Sequence, residues 1–233
     1  LVSMLASEEY YEVARPISPA ASADALALQE AFIIGLYDDL LDRAASAEEV
    51  GWWIDEMALG KGPDLIARAI WLSEEHGRLV AEELFSGLLD RQPTAQEVAD
   101  SIALLRTGED IIDVTYSILT TAEYSGAHAM HSSFVAALYP DLFDRAAAQH
   151  EITFWVDRLD SGDSRSSVVA AMQDSPESWN RVVDAAFNEY LQREPTASDA
   201  LGWGFLLASG YETPRGLAWA LLGSDAYSEL HAP

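Results

Sequence analysis

The sequence predicts an all-α fold: an array of about four three-helix repeats of roughly 50 residues, packed as a compact helical domain. Two observations lead to this prediction. Four segments of the chain share one set of spacings between an aromatic residue, an arginine and a glycine, and apolar residues within each segment recur at helical intervals, with no sustained alternation typical of strands. The 49% hydrophobic content is enough for a core, which excludes a disordered acidic segment.

A recurring arginine marks the repeat. The segments YDDLLDR, FSGLLDR, YPDLFDR and FNEYLQR end at Arg43, Arg91, Arg145 and Arg193, and each begins with an aromatic residue. Ten residues after the arginine, the second copy has Ser101 and the others have a tryptophan, namely Trp53, Trp155 and Trp203. Seventeen residues after it stands a glycine in every copy, namely Gly60, Gly108, Gly162 and Gly210. Four invariant spacings predict a true repeat.

This frame divides the chain into predicted segments. Residues 1–15 form the tail of a preceding repeat and 16–27 a Pro/Ala/Ser linker, followed by repeats at 28–77, 78–125, 126–179 and 180–233. Each copy ends in a cluster of a serine or threonine, an acidic residue and a ring, seen as SEEH, TAEY, SPESW and SDAY. Because SEEY at 7–10 has the same form, we expect at least one more copy upstream in the parent chain.

Each copy predicts three helices. In the first helix of the first copy, the apolar stripe is Leu28, Phe32, Leu36 and Leu40. The second helix opens with a capping box in three copies, whereas Ala148 in the third copy predicts a frayed or different cap. The repeated glycine is expected to end this helix with a positive φ. The third helix is expected to start near Pro63, Asp110, Asp163 and Pro214.

The repeated arginine and tryptophans each have two interpretations. The arginine could form a ligand clamp, but at the last turn of a helix it can instead bond free carbonyls and reach a carboxylate of the Ser-x-Glu cluster, which we favour. The tryptophans ten residues after it are expected in the core. Trp52 and Trp179 lie outside that position, so we expect them to be exposed and to be the candidate platforms for a sugar ring.

Charge restricts the partners. The chain has 39 acidic and 13 basic side chains, a formal net charge of −26, which repels phosphate backbones and anionic bilayers. We therefore expect no nucleic acid as a partner, and no apolar run is long enough to predict membrane insertion. Cations, basic partners and neutral sugars are the ligand classes that remain compatible with this charge. The absence of cysteine excludes disulfides, thiolate zinc sites and cysteine nucleophiles.

No catalytic residue is predicted. The sequence contains no nucleophile elbow, phosphate-binding glycine loop or nucleotide fingerprint, and its adjacent carboxylates point about 100° apart on a helix. We therefore expect a protein that is not an enzyme and needs no cofactor. A calcium site is the one alternative that we keep. The segment closest to a calcium loop is DRLDSGDS, where Asp160 and Asp163 are the candidate ligands.

The segments YDDLLDR and GWW, the glycine turn and SEEH together resemble the domain of unknown function 4214 repeat family, which occurs in exported and surface-layer-associated bacterial proteins. The glycine that the family places before the arginine is replaced here by Asp42, Asp90, Asp144 and Gln192. Its proline two residues after the arginine survives as Pro93 and Pro195 but is Ala45 and Ala147 in the other copies. The resemblance implies an extracellular or bacterial cell-surface helical module that either binds a ligand or acts as a spacer.

From these observations we expect a non-enzymatic extracellular attachment module that binds a cell-surface glycan or a surface protein in a groove between copies. One alternative is a structural spacer or self-assembly module whose acidic surfaces are bridged by calcium. Another is a targeting appendage of a larger secreted enzyme.

Overall fold

A computed structural model describes residues 23–232, which consist of helices and connecting turns without any strand, so the all-α prediction is confirmed. The predicted tail at 1–15 and residues 16–22 of the predicted linker lie outside the described residues. The helices are α1 (Ala23–Leu41), α2 (Ala47–Ala58), α3 (Pro63–Trp71), α4 (Glu74–Leu89), α5 (Ala95–Thr107), α6 (Ile111–Leu119), α7 (Ala122–Ala127), α8 (His131–Phe143), α9 (Gln149–Asp160), α10 (Arg165–Gln173), α11 (Pro176–Leu191), α12 (Ala197–Ala208), α13 (Pro214–Leu222) and α14 (Asp225–Leu230).

The first helix starts earlier than expected. Residues 23–27, predicted as part of the linker, belong to α1, because alanine and leucine there favour the helix over the extended segment that the upstream prolines suggested. The predicted apolar stripe is only partly buried. Phe32, Leu36 and Leu40 lie in the core, whereas Leu28 is 45% exposed, so burial along α1 begins at Phe32.

The Ser/Thr-acidic-aromatic clusters stand at the starts of helices. The side chains of Ser73, Thr121 and Ser175 accept hydrogen bonds from backbone N–H groups three residues later, at His76, Tyr124 and Ser178. The predicted repeat boundaries at 77/78, 125/126 and 179/180 therefore fall inside α4, α7 and α11. The number of repeats stays a prediction.

The second and third helices of each copy begin at residues that suit a helix N-terminus. Complete capping boxes open α2, α5 and α12. Ala148 has no side-chain acceptor, so α9 has half a box, in which the Glu151 carboxylate accepts from the Ala148 N–H at 2.7 Å. Pro63 and Pro214 are the first residues of α3 and α13, and Asp110 immediately precedes α6. In the third copy Ser164, not Asp163, is the N-cap, because its hydroxyl accepts from the Ser167 N–H.

Two turns in each copy require a left-handed backbone. The four repeated glycines have φ values of +96°, +113°, +111° and +68°, as expected. The residue before each arginine also has a positive φ, between +49° and +53°, although it is an aspartate or glutamine: Asp42, Asp90, Asp144 and Gln192. Glycine at that family position thus has a physical reason, and aspartate is among the residues that tolerate this conformation best.

The chain forms two compact units. The first contains residues 23–76, 186–194 and 216–232; in it α1 packs against α2, α3 and α14, around Ile33, Leu36 and Ile66. The second contains residues 77–185 and 195–215; in it α8 packs against α9 and α10, and α6 against α5 and α10. Its core includes Phe134, Leu138, Val168, Val169 and Met172.

Ser101 replaces the repeated tryptophan within the second unit, next to a close approach of two helices. A Cβ added to Gly77 of α4 would lie 2.8 Å from Ile102 Cγ1 and 3.6 Å from Ile102 Cα, so α4 and α5 approach closely. Ser101 is buried, and its hydroxyl donates to the Glu97 carbonyl at 2.9 Å. The small side chain of Ser101 thus lies next in sequence to Ile102, the residue at which α4 and α5 approach closely.

Candidate functional site

The repeated arginine binds two glutamates in each of the first three copies. Arg43 donates from Nε to Glu75 Oε1 at 2.7 Å and from Nη2 to Glu49 Oε1 at 2.8 Å. The same bonds join Arg91 to Glu97 and Glu123, and Arg145 to Glu151 and Glu177. The contact expected with the Ser-x-Glu cluster is thus present, at Glu75, Glu123 and Glu177. Because these donors already have carboxylate partners, the arginines do not form an open clamp for a ligand.

The fourth copy keeps part of this arrangement. Its Arg193 guanidinium lies 4.8 Å from the Phe187 ring centroid, just as Arg43 lies 4.9 Å from that of Tyr37. Asp199 stands six residues after Arg193, where the other copies have their first glutamate. The second glutamate of those copies lies two residues after the helix N-cap, and the residue two after Ser224 is Ala226.

The glutamates at the start of the second helices are strongly stabilised as anions. Hydrogen bonds from the arginines, assisted by the helix-start N–H groups, lower the pKa of Glu49, Glu97 and Glu151 to about 2. A carboxyl whose pKa is lower in the folded than in the unfolded chain stabilises the fold above the unfolded pKa, about 4.5, and loses that effect as the pH falls toward 2.

A pH-dependent effect follows for Glu151→Gln. The difference in unfolding free energy between wild type and this variant should be largest above about pH 4.5 and should shrink toward zero near pH 2. Chemical denaturation at a series of pH values measures it. Glu83→Gln is the control, since Glu83 is exposed and has no ionic partner among residues 23–232. A difference that is constant from pH 6 to pH 2 would contradict the role given to Arg145.

An exposed tryptophan on α2 is held in place by buried neighbours. Trp52 is 53% exposed, and its ring stands edge-on to the buried Trp53, with centroids 4.4 Å apart and planes at 69°. Trp53 Nε1 in turn donates to the Tyr37 hydroxyl at 3.0 Å. The predicted exposure of Trp52 is therefore present, on a ring whose support is fixed to the core.

The same arrangement recurs on α9 with phenylalanine. Phe154 is 55% exposed, lies 4.9 Å from Trp155 at an interplanar angle of 78°, and Trp155 Nε1 donates to the Tyr139 hydroxyl at 3.2 Å. A surface depression of about 290 Å³ adjoins it, lined by Phe154, Asp157, Arg158, Ser161 and Asp163. We call the surroundings of Trp52 and of Phe154 the two aromatic platforms.

The sequence indicated one platform and missed the other. Trp179, expected to be exposed, is half-buried and donates from Nε1 to Asp174 Oδ1 at 3.3 Å, so that prediction is wrong. Trp179 is the fourth residue of α11, where packing covers part of the ring. The residue that was not predicted is Phe154. The repeat could have identified it, because Phe154 occupies the same repeat position as Trp52, nine residues after the arginine. Of the tryptophans expected in the core, Trp53 is buried, and Trp155 and Trp203 are half-buried.

The two aspartates that were candidate calcium ligands have other partners. Asp160 Oδ1 lies 2.9 Å from His131 Nδ1, and Asp163 Oδ2 accepts from Arg158 Nε at 2.7 Å. Among residues 23–232, no group of three or more histidines, aspartates and glutamates is arranged to hold a metal ion.

A buried polar cluster joins the last helix to the first. The buried Tyr227 of α14 donates its hydroxyl to Asp39 Oδ2 at 2.6 Å, and His231 Nε2 lies 3.4 Å from the same oxygen. The His231 ring packs 4.6 Å from the Tyr227 ring, and Phe32 stands edge-on to Tyr227 at 5.8 Å. Burial raises the pKa of the Asp39 carboxyl, although the tyrosine hydrogen bond partly opposes this.

The second unit contains the same cluster between α7 and α8. Tyr124 donates to Asp141 Oδ2 at 2.5 Å, with the ring of His128 at 4.8 Å and that of Phe134 at 6.0 Å. Burial raises the pKa of Asp141 as it does that of Asp39, and the pKa of both tyrosines is also raised. Because Tyr124 and Tyr227 are fully buried, these clusters attach short helices to the core. Sequence reasoning missed them, although Y-x-x-x-H occurs at both places.

Comparison with known proteins gives one match. Residues 115–182 match the model of the family described as "Domain of unknown function (DUF4214)", which confirms the family resemblance. The matched segment contains the Phe154 platform, Arg145 and the Tyr124 cluster. No curated protein and no solved structure matches the chain. Of the described helices, none combines the length and apolar character that a membrane span needs.

Proposed function

We propose that this chain is a non-enzymatic attachment module of the bacterial cell surface or exterior and that it binds a surface glycan through its two aromatic platforms. The observation that carries the proposal is the recurrence of an exposed ring, fixed edge-on by a tryptophan whose indole N–H is anchored to a tyrosine hydroxyl. The family resemblance supports the location, since such repeats occur in exported proteins.

A rigid exposed ring suits a sugar for physical reasons. One face of a pyranose is largely apolar, so it packs flat on an aromatic surface while its hydroxyls reach polar groups at the rim. Trp52 and Phe154 offer such surfaces, and each is followed one helical turn later by an aspartate, Asp55 or Asp157. Since the supporting rings already fix the platform, little conformational entropy is lost on binding.

Removing the platforms tests the proposal. Trp52→Ala and Phe154→Ala should each weaken binding of a cell-surface polysaccharide about tenfold, which corresponds to about 1.4 kcal/mol, and the double variant should abolish it at millimolar ligand. A glycan array followed by isothermal titration gives the measurement. Tyr211→Ala is the matched control, because Tyr211 is 75% exposed and belongs to neither platform. Wild-type binding by the double variant would refute the proposal.

A different surface supports the second candidate function, which is attachment to a protein or self-assembly. Leu201 and Phe205 of α12 are exposed in the second unit, and exposed apolar groups of this kind often mark protein contacts. If the platform variants retain all surface binding, this α12 surface becomes the leading candidate.

A further inference from the structure

We infer that the two platforms select glycans carrying free, protonated amino groups over neutral and anionic glycans. This inference rests on the proposed function, because it assumes that a sugar occupies the platforms. Its basis is a carboxylate beside each ring that has no partner in the described part of the chain, together with the charges that surround it.

The carboxylates are Asp55 and Asp157. Each lies three residues after its ring on the same helix, and residues at that spacing are neighbours on a helix surface. Asp157 lines the depression next to Phe154. Both are exposed, and within residues 23–232 neither side chain has a hydrogen-bonding or ionic partner. Each is therefore available to a group on a sugar that is stacked on the ring.

The other charged side chains considered at each platform form ion pairs with each other. In the first unit Lys61 pairs with Glu56, and in the second Arg158 pairs with Asp163 at 2.7 Å. These pairs occupy the same two repeat positions with the signs reversed. Each pair is neutral as a whole, so the aspartate contributes one unbalanced negative charge to each platform.

One further position distinguishes the platforms. Four residues before the ring, one helical turn away, stands Glu48 in the first platform and His150 in the second. Glu48 is exposed and adds a second negative charge near Trp52. The preference for an amine should therefore be stronger at Trp52 than at Phe154.

Charge then decides between sugars that stack equally well. An exposed ion pair contributes about 0.2–1 kcal/mol, so an ammonium group beside Asp55 or Asp157 should improve affinity by up to about fivefold over the neutral sugar. A uronic acid carboxylate at the same place meets repulsion from the aspartate and from a chain with a net charge of −26. The expected order of affinity is amino sugar, neutral sugar, acidic sugar.

Three soluble hexasaccharides test this order: glucosamine, N-acetylglucosamine and galacturonic acid oligomers, titrated at low salt and mildly acidic pH. Wild type should prefer the amino oligomer over the acetylated one by about two- to fivefold, and added salt should reduce this ratio. The double variant Asp55→Asn/Asp157→Asn should lower this ratio clearly below the wild-type value while still binding the neutral oligomer. The part of the preference that remains comes from the net charge of −26 of the whole chain. Glu83→Gln, which removes an exposed charge outside the platforms, should keep the wild-type ratio.

The outcomes separate this inference from the proposed function. Equal binding of the amino and acetylated oligomers would overturn the inference and leave glycan attachment standing. A preference that is as large in the Asp55→Asn/Asp157→Asn variant as in wild type would also overturn it, because the overall charge would then be responsible. Failure of all three oligomers to bind wild type would overturn the inference, and the glycan array would then decide whether attachment to another glycan remains.

Discussion

Replacing Tyr227 with alanine is expected to lower the free energy of unfolding by about 3–5 kcal/mol, the range typical of removing a large buried aromatic side chain. The ring is fully buried against Phe32, and its hydroxyl donates to Asp39 at 2.6 Å. The variant leaves a cavity and also removes a hydrogen bond from a largely buried carboxylate, so both effects act in the same direction.

The second unit provides the comparison. Tyr124→Ala should destabilise to a similar extent, because Tyr124 makes equivalent contacts with Asp141 and Phe134. Tyr211→Ala, on an exposed tyrosine, should change stability by no more than about 0.5 kcal/mol. Urea denaturation followed by circular dichroism measures all three. If Tyr227→Ala costs less than about 1 kcal/mol, then α14 contributes little to the stability of the first unit.

The hydroxyl group can be examined separately from the ring. Tyr227→Phe keeps most of the packing and leaves Asp39 without its closest donor, at an expected cost of about 1–3 kcal/mol. If Asp39→Asn is combined with Tyr227→Phe, the double variant should be less destabilised than the sum of the single variants, because the two side chains interact directly.

The features that the sequence predicted depend on neighbouring residues. Gly60 ends α2 because the turn needs a positive φ, and Ser46 starts α2 because its hydroxyl accepts a nearby N–H. The bond from Arg43 to Glu75 was also within reach, since both residues belong to motifs that recur at constant spacing. Such features can be derived from composition and spacing without knowing how the helices pack.

The features that the sequence did not predict depend on packing between distant segments. Tyr227 and Asp39 are 188 residues apart, and no local pattern pairs them. Side-chain exposure also depends on such packing. Trp52 and Trp179 have comparable polar neighbours in sequence, yet of the two only Trp52 is more than half exposed. Which side of a helix is covered depends on the elements that pack against it, so platform residues can be identified with certainty only in the folded chain.

Alanine substitution of two adjacent tryptophans should therefore change stability by very different amounts. Trp53→Ala is expected to lower the free energy of unfolding by about 3–5 kcal/mol, because it empties a buried site and leaves the Tyr37 hydroxyl without its indole donor. Trp52→Ala removes an exposed ring and should change stability by no more than about 0.5 kcal/mol while abolishing the function of that platform.

Binding measured on folded protein distinguishes support from contact. Trp53 touches no ligand in the proposed function, but it fixes the Trp52 ring edge-on at 4.4 Å, so Trp53→Ala should also weaken glycan binding under conditions where the variant is fully folded. Trp53→Phe restores an aromatic edge without the Nε1 donor and should recover part of that binding, with stability between the other two variants. If folded Trp53→Ala binds as tightly as wild type, then Trp52 needs no preorganisation, and the exposed ring alone accounts for recognition.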